Sequence, residues 1–473
     1  MTKKAYWFWL AGILGVGLTL RLLIAFVPLT VFGINNFGFS WDLSTFADWM
    51  GTIRSAGFHA YQADPSINYP PVFADILGAL NFLGDAFSGG NPSRGIQNSI
   101  ILLKLPSIIA DVAIAGTLAY AGRRWYSEKA ALWAAGLYLI APVIWYDSAI
   151  WGQVDSIAAL YMLLAVVLLV DKRPELAAVA TVFAILTKPQ GLLVGLILAP
   201  ILIGQLWRKE VRWWRLLSLA ASAAISFIVL ALPWTLRSYA PGGLNQVPVI
   251  GDAAGLWFQA QSSAGLFQVM TANAFNVWQF AGPSALFEQY QLGQAAFTPD
   301  YFQVFGIPAY QLGLGLFSIV AAAVFVLLLR TGSANGAFLG YAALMVAFFD
   351  LPTRVHERYL IQAFAILALV WAGSWVNRGV FVALSLANLI NLHAILASGL
   401  QVYFPPVIPP TDGTQIYQHH GISPDVYGIA NVPFDAWFTR DAGVILAVIT
   451  VHALALGYLI FQLATDKRKQ MKA

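Results

Sequence analysis

Five stretches of this sequence bring together residue types that could do chemistry on a phosphate ester. Asp42 and Asp48 stand in residues 40–71, SWDLSTFADWMGTIRSAGFHAYQADPSINYPP, a stretch too polar to cross a bilayer. A carboxylate there could take the proton of an attacking hydroxyl. Residues 351–360, LPTRVHERYL, set Arg354, His356 and Arg358 beside Glu357. On a helix, positions 354 and 358 share a face. Two guanidiniums and an imidazole would make a receptor for a phosphate and would absorb charge growing on it. Residues 145–156, WYDSAIWGQVDS, offer Asp147, Gln153 and Asp155 at a junction of two apolar segments, and TKPQG adds Lys188 before a helix-breaking Pro189. Arg237, after Pro233 and Trp234, could add a further cation.

Each group also has a plainer reading. Trp145 and Trp151 fit an aromatic belt, and the polar groups between them fit helix capping. Lys188 could snorkel to lipid headgroups. Arg354, Arg358 and Glu357 could be a salt-bridged helix cap. In KLPSIIAD, Lys104 could snorkel, while Asp111 sits where an ionised group is costly and would pair with another span's polar group such as Arg21.

These groups must be held by membrane helices. The chain has 473 residues, 59% hydrophobic and 10% charged, with mean hydropathy +0.70. A soluble protein would carry about 25% charged residues. The fold class is therefore an all-α polytopic membrane protein, one membrane-embedded domain over residues 1–473. Candidate spans are 6–28, 99–121, 129–146, 154–170, 175–187, 190–206, 214–233, 311–330, 336–351, 358–376, 379–398 and 441–463, about 12 in all within a range of 11–14. Residues 72–87 are apolar but short, with Asp75 and Asp85 inside, and read as an interfacial helix. Counting them as a span would break the alternation that puts most of the 26 basic residues on the inner side. The N-terminal run exceeds twenty residues without a small-x-small cleavage site and reads as an uncleaved anchor. Zero cysteines exclude disulfides, thiolate nucleophiles and Cys-ligated metals. P-loop, Gly-rich nucleotide and HExxH patterns are missing from the sequence. The net charge of +4 reflects topology and gives no reason to invoke nucleic acid.

This topology puts the long loops 29–98, 234–310 and 399–440 on the outer face, with every stretch that could do chemistry. In the first loop Ser40 can cap a helix with Asp42 in its first turn. Phe46, Trp49 or Met50, and Ile53 recur at helical spacing, which reads as an interfacial helix with its apolar side in lipid. His419 and His420, in the last loop, are the one adjacent histidine pair.

Taken in order, Asp42 with Trp49 seven later, NYPP at 68–71, KLPSIIAD, WGQVDS, TKPQ and VHERY resemble the membrane glycosyltransferases of the GT-C superfamily. The likeness is to prokaryotic proteins related to GPI mannosyltransferases and to dolichyl-phosphate-glucose-dependent glucosyltransferases. It spans residues 42–359. It implies a GT-C-like fold and an inverting transfer of a hexose, mannose favoured, from a polyprenyl-phosphate donor to an acceptor hydroxyl. The site would face outward from a prokaryotic cell membrane. By that resemblance Asp42 is the catalytic acid–base group, and His356 and Arg358 lie near the donor phosphate. Arg354, Lys188 and Arg237 join them as phosphate binders from the residues' own chemistry. Asp48, Tyr69, Gln153 and Asp155 are assigned to sugar and acceptor, and the family pattern varies at Asp48. Trp41, Tyr61 and Tyr69 could stack on a sugar or anchor the loop. No cofactor is called for. A divalent metal could sit between Asp42 and Asp155, but no motif demands one. The partners are the lipid-linked donor, a glycan or lipid-linked acceptor, and membrane lipid.

The alternatives are a carrier that moves a lipid-linked sugar without chemistry, and an oligosaccharyl transferase or polymerase of the same superfamily. Transporters tend to carry paired repeats, which this sequence lacks. Oligosaccharyl transferases often add a large soluble domain.

Overall fold

The computed structural model describes residues 2–27, 30–31, 34–35, 40–265, 268–281, 299–399 and 442–466. The protein is an all-α polytopic membrane protein. Among the described residues seven helices are long and apolar enough to cross a bilayer: Lys3–Phe26, Pro92–Trp125, Pro189–Trp207, Arg215–Trp234, Ala309–Thr331, Trp375–Leu396 and Ala442–Thr465. Glu128–Ile140 and Pro142–Trp151 meet the same length and apolarity criterion only as a pair, bent by 47° where Pro142 starts a new helix. Four shorter apolar helices complete the bundle: Asp155–Val170, Pro174–Thr187, Ala334–Asp350 and Ile361–Val370. The expected span 358–376 is helical only over Ile361–Val370. Ten residues rise about 15 Å, half the roughly 30 Å of a hydrocarbon core. The two regions of strand pairing described are two-residue ladders.

A buried ion pair ties the N-terminal helices together. Arg21 and Asp111 are both fully buried, with Nε 2.6 Å from Oδ2. Tyr138, Ser148 and Ser156 also donate to the Asp111 carboxylate, at 3.1, 2.7 and 2.6 Å. Arg21 Nη1 donates to the Gly17 and Leu139 carbonyls. The pairing expected for Asp111 is therefore present, with three hydroxyl donors added. Lys104 does not snorkel: it is 6% exposed and its Nζ donates to the Ala149 carbonyl at 3.1 Å.

The first outer loop folds as expected in sequence and differently in packing. Ser40–Ala56 is a helix with Asp42 in its first turn, and Pro71–Ala86 is a second helix opened by Pro71. Phe46, Trp49, Met50 and Ile53 are all buried, but against protein rather than lipid. They pack in one cluster with Tyr61, Phe73 and Leu77, and Phe46 and Trp49 meet Tyr69 with ring centres 5.8 and 5.5 Å apart. The apolar stripe alone could not distinguish a lipid surface from a second helix. The last loop, with His419 and His420, lies outside the described residues, as do parts of the loops 29–98 and 234–310.

Arg21→Met would leave the Asp111 charge buried without its counter-ion, at a cost of about 3–5 kcal/mol. Thermal unfolding in detergent should show that loss, with partial recovery in the Arg21→Met, Asp111→Asn double variant. A second expectation concerns Asp75, whose Oδ1 accepts from Trp234 Nε1 at 2.9 Å. Burial lifts its carboxyl from 3.8 to about 6, with the indole bond opposing the rise. The folded state thus binds this proton more tightly than the unfolded state. The contribution is full below the unfolded value and is lost as pH rises through about 6. Melting temperatures of Asp75→Asn should be less dependent on pH between 4 and 7 than those of the wild type.

Candidate functional site

The chain reaches the site through a bent helix. After Pro142–Trp145, residues Tyr146–Trp151 close a turn of π-helix that is buried throughout, and Gly152 ends it at φ +88°. The expected outward loop at 145–153 is thus a buried junction. π-turns inside helices mark functional sites often enough to warrant notice here. Gly152 is required twice over: its φ is left-handed, and a Cβ there would stand 2.8 Å from Leu43 of the loop helix. That close approach lets Asp42 reach the junction. Trp151 Nε1 and Gln153 Nε2 both donate to Asp42 Oδ2, at 2.8 and 2.5 Å. Trp151 is 1% exposed and directs its indole N–H at a carboxylate, so the aromatic-belt reading does not hold for it.

Two residues beyond Gln153, Asp155 opens the helix Asp155–Val170 and is fully buried. Its Oδ1 accepts from Lys188 Nζ at 2.7 Å and from Gln362 Nε2 at 2.9 Å. Arg358 Nε stands 3.6 Å from Oδ2. Lys188 is 2% exposed, which excludes snorkelling. The extended backbone at the end of Pro174–Thr187, just before Pro189, turns it inward. Its Nζ lies 5.6 Å from the centre of the Tyr69 ring and 5.2 Å from that of Tyr359. Arg358 Nη1 also bonds Glu357 Oε1 at 2.7 Å. Each of these two cations is therefore already matched by a carboxylate.

Residues 351–360 are not a helix. Pro352 and a left-handed Arg354 (φ +64°) break it, and the Arg354 amide bonds the Val269 carbonyl instead. Arg354 and Arg358 consequently do not share a face. Arg354 turns away to Asp300, with Nε 2.5 Å from Oδ2, and stands over the Tyr310 ring. His356 is bridged through its backbone to Ala272 and Asn273, and its ring lies 5.2 Å from that of Tyr359. Burial, then the charges of Arg358 and Lys188, hold the imidazole well below its ordinary range. It therefore acts near neutral pH as an uncharged group and not as a third cation. Burial raises the Glu357 carboxyl against the pull of Arg358, and burial raises the Tyr69 phenol.

The structure thus brings Asp42, Gln153, Asp155, Lys188, Arg358, His356 and Tyr69 into one neighbourhood. Three expected residues fall elsewhere. Asp48 lies on the exposed side of the loop helix, six residues and about 240° round from Asp42. Arg354 belongs to the Asp300 pair. Arg237 is tied through its backbone N–H to Asp252 Oδ1, and no contact among the described residues joins its side chain to Asp155 or Arg358. Tyr61 is a brace whose hydroxyl donates to the Tyr69 carbonyl. The side chain of Trp41 lies outside the described set.

Sequence reasoning missed Gln362, although a single amide in the apolar segment IQAFAILALV was a visible signal. It missed the isolation of Asp147, whose two buried carboxylate oxygens have no hydrogen-bond donor among the described residues. Asp155 Oδ2 and Glu357 Oε2 are likewise without a hydrogen bond. Among the described residues no three His, Cys, Asp or Glu side chains gather as metal ligands.

No protein-family model matches this chain, and no curated protein matches it. Solved structures similar to it include two that can be named. One is the oligosaccharyltransferase of Archaeoglobus fulgidus tethered to an acceptor peptide, at 15% identity and TM-score 0.43, covering 98% of this chain and 56% of that one. The other is ArnT from Cupriavidus metallidurans bound to undecaprenyl phosphate, at 15% identity and TM-score 0.42, covering 98% of this chain and 77% of that one. The chain thus spans little more than half the length of the first.

Trp151→Phe and Gln153→Leu each remove a hydrogen bond to a charged group, worth roughly 1.5–3 kcal/mol. Both should loosen the loop helix from the junction. Hydrogen exchange over residues 40–56 should quicken in each variant while exchange over residues 155–170 stays as in the wild type.

Proposed function

We propose that this protein is an inverting glycosyltransferase of GT-C type. In this reading it moves a hexose, mannose favoured, from a polyprenyl-phosphate donor to an acceptor hydroxyl on the extracytoplasmic side. One observation carries the reading: a single loop carboxylate, Asp42, is docked at the edge of the buried group formed by Asp155, Lys188 and Arg358. The order of sequence motifs from Asp42 to Tyr359 supports it independently.

The chemistry needs few parts. The acceptor oxygen attacks the anomeric carbon from the face opposite the phosphate, and the bond from that carbon to the phosphate oxygen breaks. Asp42 takes the hydroxyl proton. Trp151 and Gln153 both occupy Oδ2, which leaves Oδ1 for that proton. The leaving polyprenyl phosphate carries away the electron pair and needs charge stabilisation rather than a proton. Arg358 and Lys188 supply the charge, and neutral His356 supplies a hydrogen bond. Gln362 and Asp155 hold Lys188 and Arg358 in place. The carboxylate oxygens of Asp147, Asp155 and Glu357 that lack hydrogen bonds suit the hydroxyl donors of a sugar. Tyr69 offers a ring face beside them. Glycoside hydrolases set two carboxylates at a fixed separation; transfer from a phosphate does not require that pair.

The test is product formation by the reconstituted protein supplied with a panel of polyprenyl-phosphate sugars, read by mass spectrometry. Asp42→Asn should lower the rate by at least 10²–10⁴, as expected for loss of a general base, with donor still bound. Arg358→Ala should instead weaken donor binding by roughly tenfold to a hundredfold. Full activity in Asp42→Asn would remove that residue from the mechanism. Movement of labelled lipid across the bilayer without any new glycosidic bond would replace the enzyme by a carrier.

A further inference from the structure

At the opposite ends of the same helices lies a second recess, independent of the chemistry above. It is lined by the C-terminal ends of Asp155–Val170, Pro189–Trp207 and Ala309–Thr331 and by the start of Ala334–Asp350. It is a small recess with a cavity volume of about 30 Å³ and an open mouth. The helix Asp155–Val170 is 16 residues long, which puts about 24 Å between this recess and Asp155. The recess is on the face to which the sequence assigns the basic connections.

Its polar lining is uneven. Arg208 gives Nε to Glu210 Oε1 at 2.8 Å, and Lys172 Nζ stands 3.7 Å from Glu210 Oε2. Both terminal nitrogens of Arg208 are without an acceptor among the described residues, and so is the Thr331 hydroxyl hydrogen. Within the lining, one carboxylate thus answers two cations, while the Asp466 carboxylate at the edge is taken up by Ser333 and Asn335. Gly332, at φ +61°, lies under the guanidinium; a Cβ there would meet Arg208 Cζ at 3.0 Å. Gln205, 3% exposed, lines the wall with a buried Oε1 that has no hydrogen-bond partner among the described residues and can take a hydroxyl donor. Trp207, next in sequence to Arg208, and Trp213 and Trp214, before the helix Arg215–Ala231, are 70%, 73% and 49% exposed. Exposed tryptophans at helix ends sit at the level of lipid headgroups, and basic recesses between membrane helices at that level take phosphate headgroups.

We propose that this recess binds the anionic phosphate headgroup of a membrane lipid, with the free Arg208 nitrogens and the Thr331 hydroxyl donating to the phosphate and Lys172 at its rim. A glycerol headgroup would give its hydroxyls to Gln205. The aromatic girdle favours a lipid over a soluble phosphate because it places the opening where chains can lie in the bilayer. Lys172 sits at the turn of the hairpin that carries Asp155 and Lys188 at its other end. Bound lipid would therefore tie that hairpin to the ends of two further helices.

The experiment is native mass spectrometry of delipidated protein offered phosphatidylglycerol, phosphatidylcholine with the same chains, or glycerol phosphate. Phosphatidylglycerol should be retained in preference to the other two. Arg208→Gln and Thr331→Val should each lower its retention about tenfold, Arg208→Lys should restore part of it, and Glu210→Gln should raise it. Melting curves of the variants separate lost binding from lost folding, and Thr331→Val preserves side-chain shape. Equal retention by the wild type, Arg208→Gln and Thr331→Val would overturn the proposal. So would preference for phosphatidylcholine, or binding of glycerol phosphate without the lipid.

Discussion

Asp155 and Lys188 hold each other at 2.7 Å with almost no exposure to water. Either charge alone would be expensive there, because desolvating an ion costs several kcal/mol even after relaxation. Together, with Gln362 as a second donor to the same carboxylate oxygen, they make a fixed dipole between two membrane helices. The pair also dictates where Arg358 can stand, since its guanidinium is drawn to the remaining oxygen of Asp155 and to Glu357. The surrounding fold reads as the means of bringing these groups out of water at one level. The short helix Ile361–Val370 presents Gln362, and the break at Pro189 presents Lys188.

The fold class was plain from composition, since hydrophobic content of 59% with 10% charge admits little else. Helix positions followed from apolar length, and the loop helix with Asp42 in its first turn followed from its period. What the pattern could not supply was the partner of each face. The stripe of Phe46, Trp49 and Ile53 fits lipid or protein equally well, and tertiary contact with Tyr61, Tyr69 and Phe73 decided between them. Residues 351–360 were misread as a helix because spacing alone ignores backbone sign. A left-handed Arg354 sends that side chain to Asp300, some fifty residues earlier in a loop with no local signal. Asp155, Lys188 and Arg358 were legible as polar residues at helix ends. Their pairing was not, because ion-pair geometry lies in no single stretch of sequence.

The pairing changes the electrostatic picture of phosphate binding. Free cations would draw an anion in from a distance, whereas Lys188 and Arg358 are already matched by Asp155 and Glu357. On the proposed function, an entering phosphate would gain little from net charge and would have to gain from position. In that reading Arg358 would offer nitrogens beyond those bound to Glu357, and an uncharged His356 would donate without adding charge. Such a site is selective for the shape and hydrogen-bonding of its ligand more than for its charge. It also costs little reorganisation, since preset dipoles rather than mobile ions face the reacting group.

The position of Asp42 depends on the membrane core more than on its own loop. Its two donors come from the buried π-turn and the residue after Gly152, not from neighbours on the loop helix. The turn is itself held from below, where Ser148 bonds Asp111 and Asp111 is matched by Arg21. A continuous set of polar contacts therefore runs from the N-terminal helix through the junction to the loop carboxylate. The Arg21 pair lies deep in apolar surroundings, where an ion pair is at best neutral for stability compared with a hydrophobic replacement. Its value is geometric: it fixes the height and rotation of the turn that bears Ser148 and Trp151 and leads to Gln153. An acid perched on a mobile outer loop would sample many directions. Docked on that turn, Asp42 has one oxygen committed and the other free, which is the asymmetry a base needs to take a proton from a defined direction.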